Sequence, residues 1–337
     1  MRAAVQFLDA HPSSVSAATE PSPIEAGAPA RRRSTVHATV ASFPCEVRAL
    51  RWGDPAAPPV LVLGGISADA ELLNAGGSAP GWWPGLVEPD GAVDPARHHV
   101  IGVDFAADPR GKVAPSTHDQ ARSIFAALDA CGVCQPVAVV GASYGGMVAL
   151  ALAELAPERV SQLVLVSAPA RPHPAATAAR ELQRRVVALG LETGRAEEAL
   201  AIARGLAMLG YRTPDEFEAR FEGSLTSDAP LARSDAGDYL AARGHAFVTR
   251  MSPERYLSLS ASIDRHCVDP ACIAAPTLVI GSTSDQIVPP ASLRTLAGQL
   301  GGPTQLELFD SLYGHDFFLK EPACFAPLVT RWLEVSA

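Results

Sequence analysis

The most constraining feature of the sequence is the stretch from Val137 to Met147, in which an apolar run leads directly into Gly-Ala-Ser-Tyr-Gly and then into an Ala/Leu-rich segment. This order predicts a buried strand, a sharp turn and a helix, the arrangement of a nucleophile elbow. Gly141 and Gly145 flank the serine, where a strained backbone leaves no room for neighbouring Cβ atoms. The pattern therefore predicts that Ser143 stands at the tip of the turn as a nucleophile.

The composition of the chain allows a large core and argues against several classes of protein. The 337 residues, of which 48% are hydrophobic, suffice for one large α/β domain with an insertion or for two small domains. A net charge of -9 argues against nucleic-acid binding, which requires a basic face. No stretch approaches the roughly 20 apolar residues of a membrane span. The 6 scattered cysteines fit a reducing cytoplasm. Cys131 and Cys134 form a Cys-x-x-Cys pair, but no second pair completes a zinc site, so we expect no bound metal.

The chain divides into a tail, a core and an insertion. Residues 1–34 are rich in Ala, Pro and Ser, which predicts a flexible N-terminal tail. Residues 35–168 and 270–337 alternate short apolar strands with helical segments, which predicts a mostly parallel, doubly wound sheet. Residues 169–269 show no convincing strand and predict a helical cap over the sheet edge that carries the serine. The helical segments of this insertion are 175–191, 196–209, 214–222 and 235–248.

Candidates for a base and an orienting acid follow the serine in the order that an α/β-hydrolase fold requires, acid first and then histidine. Asp285 follows a predicted strand, in a loop where the carboxyl end of that strand would present an acid. Of the 9 histidines, only His315 follows the last predicted strand. The order predicts a triad of Ser143, Asp285 and His315, with Asp104 and Asp108 as lower-ranked competitors for the acid.

Two stretches can supply backbone amides that stabilise an oxyanion. Tyr144 begins the helix after the serine, and amides at a helix start point toward developing negative charge. Gly65 and Ile66 follow the short buried strand at 59–63, the position that supplies the second donor in such sites. These features predict acyl transfer through a seryl intermediate, to water in an esterase or to an alcohol in a transferase.

Several separated motifs resemble those of the homoserine O-acyltransferases (MetX type), enzymes of methionine biosynthesis within the α/β-hydrolase superfamily. The matching stretches are Gly141–Met147, Trp82-Trp83 with Asp94–Asp104, Leu209–Thr213, Arg250–Asp264, Asp285 with its loop, and Tyr313–Leu319. The last of them, with an aspartate directly after the histidine, is more specific than Gly-x-Ser-x-Gly. The resemblance covers most of residues 36–337 and implies the α/β-hydrolase fold with a helical cap.

The resemblance implies a role for each matched residue. Ser143 would be acylated by a CoA thioester, with His315 as general base and Asp285 as the acid that orients it. Arg212 would hold the carboxylate of the acceptor amino acid, because a planar guanidinium suits bidentate binding. Asp316 would hold the ammonium group. The family also implies acyl-CoA as co-substrate, L-homoserine as acceptor, a cytoplasmic enzyme and a homodimer formed through the cap.

The sequence departs from the family pattern near the expected acyl and CoA sites. The elbow begins Gly-Ala instead of Gly-Gly, Leu63–Ile66 replaces the usual His-Ala-Leu-Thr/Ser-Gly, and a long Gly-rich loop is shortened to about Phe105–Ser116. Acetyl and succinyl both stay open as the transferred group, and L-serine stays open as the acceptor. An esterase or thioesterase on the same scaffold is the first alternative, and a binding protein that retained the fold is the second.

The two adjacent tryptophans, Trp82 and Trp83, lie in a loop rich in Gly and Pro. Tryptophans in such a loop are more often packing anchors than the wall of a pocket. We therefore expect both to serve packing.

Overall fold

A nine-stranded sheet forms the centre of the protein, described by a computed structural model that covers residues 16–18 and 31–335. The strands are β1 (Ser16–Ala18), β2 (Arg32–Val40), β3 (Phe43–Trp52), β4 (Pro59–Leu63), β5 (His99–Val103), β6 (Val137–Ala142), β7 (Val160–Val166), β8 (Thr277–Ser282) and β9 (Thr304–Phe309). The helices are α1 (Thr117–Ala130), α2 (Tyr144–Leu155), α3 (Pro174–Glu192), α4 (Ala196–Tyr211), α5 (Pro214–Arg220), α6 (Asp235–Val248), α7 (Pro253–Asp264), α8 (Pro290–Gln299), α9 (Phe317–Lys320) and α10 (Pro322–Val335).

The sheet has the order β1-β2-β3-β5-β4-β6-β7-β8-β9. β1, β2, β3 and β5 pair antiparallel in turn, and every pair from β5 through β4 to β9 is parallel. The expected mostly parallel, doubly wound sheet is thereby confirmed. β4, β5, β6 and β8 are buried along their whole length, as parallel strands covered on both faces must be. The carboxyl ends of the parallel strands therefore meet at one edge of the sheet, where β6 delivers Ser143.

Two apolar layers cover the sheet, one on each face. Alternate residues of β6 enter different layers, since Val139 packs with the helices α1 and α2 whereas Val140 packs with α10. α10 contributes Phe325, Val329 and Leu333 to its layer, spaced four residues apart along one helix face. The strand that leads to Ser143 is thus fixed from both sides.

The insertion between β7 and β8 consists of the helices α3 to α7, and the four helical segments predicted there are confirmed. The helix α7 was not among the predicted segments, although Pro253 at its first position and the N-cap Ser252 are start signals for a helix. The insertion has a small apolar core of its own, in which Val187, Leu200 and Phe247 are buried. The helices of the insertion therefore pack on one another through this core.

The predicted tail, residues 1–34, lies mostly outside the described residues. Of its described residues, all but Arg31 lie in strands: Ser16–Ala18 pairs with β2, and β2 itself begins at Arg32. No helix in residues 31–335 is long and apolar enough to cross a membrane. All six cysteines lie in this same range and are free thiols.

Gly145 is a position where the elbow tolerates no side chain. A Cβ atom there would lie 2.3 Å from the carbonyl oxygen of Leu63. Gly145→Ala must therefore displace β4 or α2, and we expect it to lower the free energy of unfolding by about 1–3 kcal/mol, as overpacked core sites do. Urea denaturation followed by circular dichroism measures this change.

Gly298→Ala is the matched control for that variant. Gly298 is exposed in α8, and outside its chain neighbours and the backbone of its own helix no atom lies within 4 Å of the position its Cβ would take. Alanine should leave stability unchanged or raise it by up to about 1 kcal/mol through its better helix propensity. Equal urea midpoints for the two variants would contradict the packing explanation of the elbow.

Candidate active site

Ser143 occupies the turn between β6 and α2, and its backbone has φ +53° and ψ -119°. This left-handed conformation is strained for a residue with a side chain and is typical of functional turns. The Ser143 N–H donates to the carbonyl of Val166 on the neighbouring strand at 2.8 Å, which anchors the turn to the sheet. The predicted strand, sharp turn and helix are therefore confirmed.

The structure brings Ser143, His315 and Asp285 together in one hydrogen-bonded chain. His315 Nε2 lies 2.9 Å from Ser143 Oγ, and His315 Nδ1 lies 2.7 Å from Asp285 Oδ2. The other oxygen of Asp285 accepts the N–H groups of Ile287 and Val288, each at 2.9 Å. Because both carboxylate oxygens are engaged, the acid has one orientation, and it holds the imidazole toward the serine.

The electrostatic environment favours the protonated form of His315. Burial alone would lower the pKa of this imidazole, but the charge and hydrogen bond of Asp285 raise it above its ordinary value. Asp316 acts in the same direction and Arg180 in the opposite one. The site can therefore stabilise the imidazolium that forms when a serine proton is transferred.

The two competing acids have other partners. Asp104 accepts from Arg48 Nε at 2.8 Å and from the amide of Ala70 at 2.7 Å. Asp108 is fully buried, and its carboxylate accepts three backbone amides of its own loop, which lower its pKa against the effect of burial. Both carboxylates stabilise the backbone of loops at the strand ends.

The end of the cap helix α4 packs against the histidine loop. Gly314 has φ +56°, and a Cβ there would lie 2.8 Å from the carbonyl oxygen of Tyr211. The Tyr211 ring lies 5.6 Å from the His315 ring, and the Phe318 ring meets that imidazole edge-on at 5.9 Å. Trp83 donates its indole N–H to the carbonyl of Phe318. The cap and the core thus hold the imidazole together.

Two cavities in the described part of the chain reach Ser143 and His315. The first, the Trp82 cavity, has a volume of about 270 Å³. Its walls include Gly65, Ile66, Trp82, Tyr144, Arg204, Arg250 and Asp316. The second, the Arg180 cavity, has a volume of about 140 Å³ and lies beneath α3 and α4. Its walls include Met147, Ala176, Arg180, Gln183, Ala207 and Val288. Ser143 therefore stands where a larger cavity and a smaller, more apolar one meet.

The predicted oxyanion residues Tyr144, Gly65 and Ile66 all lie beside Ser143 in the wall of the Trp82 cavity. Tyr144 is the first residue of α2, so its N–H is one of the unpaired donors that begin a helix.

The two tryptophans, both expected to serve packing, have different roles. Trp83 is fully buried as expected, whereas Trp82 stacks on it at 5.0 Å and forms part of the cavity wall.

The two predicted substrate-binding residues occupy different places. Asp316 lies in the wall of the Trp82 cavity, as a substrate contact would. Arg212 lines neither cavity and is buried behind the wall, where its Nε donates to Asp316 at 2.7 Å and its Nη1 donates to Glu216. The guanidinium that was expected to face a substrate is therefore occupied by two carboxylates of the protein.

Sequence reasoning did not single out Arg204, which faces the Trp82 cavity from α4. Its guanidinium lies 5.3 Å from the Tyr211 ring centre and 4.9 Å from that of Phe247, so two aromatic faces hold the cation. A sequence signal existed, because Arg204 is an isolated cation on an otherwise Ala/Leu-rich stretch of α4.

Among residues 31–335, no cluster of three His, Cys, Asp or Glu side chains could hold a metal ion.

Comparison with known proteins identifies relatives over most of the chain. The profile of the alpha/beta hydrolase fold family matches residues 58–322. The homoserine O-succinyltransferase of Xanthomonas campestris is 44% identical over 271 residues, which cover 80% of this chain and 73% of that protein. The homoserine O-acetyltransferase of Deinococcus radiodurans is 32% identical over 287 residues, 80% of this chain and 81% of that protein.

Solved structures share the fold at lower identity. Homoserine O-acetyltransferase from Bacillus anthracis superposes with a TM-score of 0.79 at 15% identity, over 90% of this chain and 98% of that one. Esterase E22 gives a TM-score of 0.79 at 20% identity, over 90% of this chain and 99% of that one. At these identities the likeness concerns the fold, which a transferase and an esterase have in common.

The raised pKa of His315 predicts the pH dependence of serine reactivity. Only the neutral imidazole accepts the Ser143 proton, so labelling by a phosphonate probe should slow as pH falls through a pKa above the ordinary 6.5. Asp285→Asn removes the carboxylate charge that raises this pKa. In this variant we expect the fall of the labelling rate on the acid side of the pH profile (the acid limb) to shift to lower pH. The maximal labelling rate should be reduced by about 10³- to 10⁴-fold.

Asp310→Asn is the control for this measurement, because Asp310 is an exposed aspartate bonded to Thr283. Its acid limb should coincide with that of the unaltered protein. If Asp285→Asn leaves the limb in place as well, the assigned electrostatic role of Asp285 is wrong.

Proposed function

Because the chain belongs to the homoserine O-acyltransferase family of the α/β-hydrolase fold, we propose that it transfers an acyl group from CoA to the hydroxyl of L-homoserine in methionine biosynthesis. The observation that carries this proposal is the charge pattern of the Trp82 cavity, which holds Asp316 and Arg204 close to Ser143. A carboxylate and a guanidinium in one cavity complement the ammonium and carboxylate of an amino acid. An enzyme for simple esters has no need of both charges.

The first half of the reaction acylates the enzyme. His315 accepts the Ser143 proton while Oγ attacks the thioester carbonyl, and the resulting oxyanion is held by the amide of Tyr144 and that of Gly65 or Ile66. Collapse of the tetrahedral intermediate breaks the carbon–sulfur bond. The departing CoA sulfur takes the proton from His315, and the acyl ester of Ser143 remains.

The second half returns the serine. The homoserine hydroxyl gives its proton to His315 and attacks the acyl ester, and the same amides hold the second oxyanion. The bond to Ser143 then breaks, and its Oγ recovers the proton from His315. The sequence is a ping-pong exchange in which acyl-CoA is a co-substrate that leaves before the acceptor reacts.

Arg204 is our candidate for the carboxylate of homoserine, and Asp316 for its ammonium group. Arg212, assigned the carboxylate at first, instead orients Asp316 by the 2.7 Å hydrogen bond from its Nε. Removing Arg212 would leave Asp316 without its cation, whereas Glu216 would keep Arg220. Breaking a buried ion pair in this way typically costs about 3–5 kcal/mol. We therefore propose a positioning role for Arg212.

The cap, residues 169–269, would exclude water from the acyl ester, which otherwise hydrolyses. We further propose a cytoplasmic homodimer that forms through this cap. Apolar side chains on the outer surface of α3 and α4 support the dimer, since an exposed apolar patch is typical of an interface. These exposed side chains are Leu182, Leu189, Ile202, Leu206 and Leu209.

The experiment that tests the function combines two donors with three acceptor conditions. Acetyl-CoA and succinyl-CoA are each incubated with L-homoserine, L-serine or no acceptor, and free thiol and acylated amino acid are measured. We expect release of CoA to depend on homoserine, and Ser143→Ala to reduce turnover by about 10⁶-fold. Dependence on serine would make the protein a serine O-acyltransferase of the same type. Continued release of CoA without any acceptor, beyond the one CoA per chain that acylation of Ser143 produces, would make it a thioesterase and contradict the proposal.

The role of Arg204 has a separate test. Arg204→Ala removes a charge-assisted hydrogen bond to the acceptor, so KM for homoserine should rise about 10- to 100-fold while KM for acyl-CoA changes little. Arg195→Ala is the control, because Arg195 is an exposed arginine at the start of the same helix, paired with Glu198. Equal increases of KM for both substrates in Arg204→Ala would rule out carboxylate recognition.

A further inference from the structure

We propose that the Arg180 cavity holds the acyl chain carried by Ser143 and that Arg180 binds a carboxylate at the far end of this chain. The donor would then be the CoA thioester of a short dicarboxylic acid, of which succinyl-CoA is the natural size. This inference rests on the proposed acyl transfer and adds the identity of the donor.

The position of the two cavities assigns a place to each part of the reacting group. In each tetrahedral intermediate, the carbon attached to Ser143 Oγ also carries the oxyanion, the acyl chain, and either the CoA sulfur or the homoserine oxygen. The oxyanion faces the amides in the Trp82 cavity, and the CoA sulfur and the homoserine oxygen exchange at one position, because His315 serves both. Arg204 and Asp316, the proposed partners of homoserine, also lie in the Trp82 cavity. The acyl chain would therefore occupy the remaining space at Ser143, which is the Arg180 cavity.

The walls of the Arg180 cavity suit a short chain with one charged end. Near the serine they are formed by Met147, Ala207 and Val288, which would contact methylene groups. The volume of about 140 Å³ is small and excludes a long fatty acyl chain. Arg180 and Gln183 introduce polar groups from α3 into the same cavity.

Arg180 belongs to a cluster with an excess of positive charge. Its Nε and Nη2 both donate to Asp264 Oδ1, at 2.9 and 2.6 Å, and Arg184 Nη1 donates to Asp264 Oδ2 at 2.6 Å. Two guanidiniums thus share a single carboxylate, with all three side chains less than one-fifth exposed. A largely buried cation of this kind is stabilised by a second anion, which a distal carboxylate of the acyl chain would supply.

Gln183 supplies the neutral partner in the same wall. The hydroxyl of Tyr256 donates to Gln183 Oε1 at 3.0 Å, which leaves the amide NH₂ of Gln183 to donate. A guanidinium and an amide one helical turn apart can both donate to one carboxylate. An acetyl group carries no distal carboxylate, so it would gain none of this interaction.

The acylation step itself needs no group from this cluster. The Oγ–carbon bond of Ser143 forms, the carbon–sulfur bond breaks, and His315 returns the proton to the CoA sulfur. Arg180 touches the non-reacting end of the chain, so its contribution is to donor selectivity. The 44% identical relative named homoserine O-succinyltransferase agrees with this selectivity.

The test compares Arg180→Gln with Arg184→Gln. Each variant removes one positive charge from the same cluster and leaves one arginine paired with Asp264, but only Arg180 lines the cavity. Homoserine-dependent turnover is measured with succinyl-CoA and with acetyl-CoA. We expect the unaltered enzyme to prefer succinyl-CoA, Arg180→Gln to lose about 10- to 100-fold in kcat/KM for succinyl-CoA alone, and Arg184→Gln to retain the preference.

A burst of CoA release without acceptor separates this inference from the proposed function. A burst that favours succinyl-CoA and weakens in Arg180→Gln supports the acyl site even if homoserine proves to be the wrong acceptor. Preference for acetyl-CoA, or an equal loss for both donors in Arg180→Gln, overturns the inference while homoserine-dependent turnover keeps the function. Absence of both burst and turnover with either thioester overturns both.

Discussion

The strained turn at Ser143 is the constraint on which the rest of the site depends. A positive φ places Oγ beyond the end of β6 and at the same time makes Tyr144 the first residue of a helix. The turn persists because β6 is buried between two apolar layers and because Gly145 lets α2 approach the carbonyl of Leu63. One local geometry therefore fixes both the proposed nucleophile and the proposed oxyanion donor, and the packing of the sheet stabilises its strained backbone.

The second contact on which the site depends is the packing of the end of α4 against the loop that carries His315. Tyr211 packs over the His315 ring, and Arg212, the next residue, forms a buried ion pair with Asp316, which follows the histidine. His315 and Asp316 are consecutive residues, and both contact the end of α4. A shift of α4 would therefore move the imidazole and the proposed ammonium ligand together. The same helix, α4, brings Arg204 into the Trp82 cavity and Ala207 into the Arg180 cavity.

Sequence alone predicted the features that depend on local pattern. The elbow, the alternation of strands and helices and the order of Ser143, Asp285 and His315 follow from periodicity, glycine placement and the chain order of a known fold, and the structure brings all three residues together. The direction in which long side chains of α4 point could not be predicted this way. It depends on which residues of other elements lie next to each side chain once the helices have packed. Arg212 therefore contacts Glu216 and Asp316, while Arg204 faces the cavity. Trp82 and Trp83 likewise differ only through the loop geometry that buries one and exposes the other to the cavity.

The central claim is that Ser143 carries the acyl group covalently and passes it to homoserine. Intact-protein mass spectrometry of the enzyme after treatment with succinyl-CoA tests this claim most directly. The protein is mixed with succinyl-CoA alone, its mass is recorded, and L-homoserine is then added. The account predicts one succinyl group per chain, carried by the peptide that contains Ser143, and its loss with formation of O-succinylhomoserine when the amino acid arrives. A protein that produces O-succinylhomoserine without ever carrying the acyl group, or an acyl-enzyme that homoserine does not discharge, would contradict it.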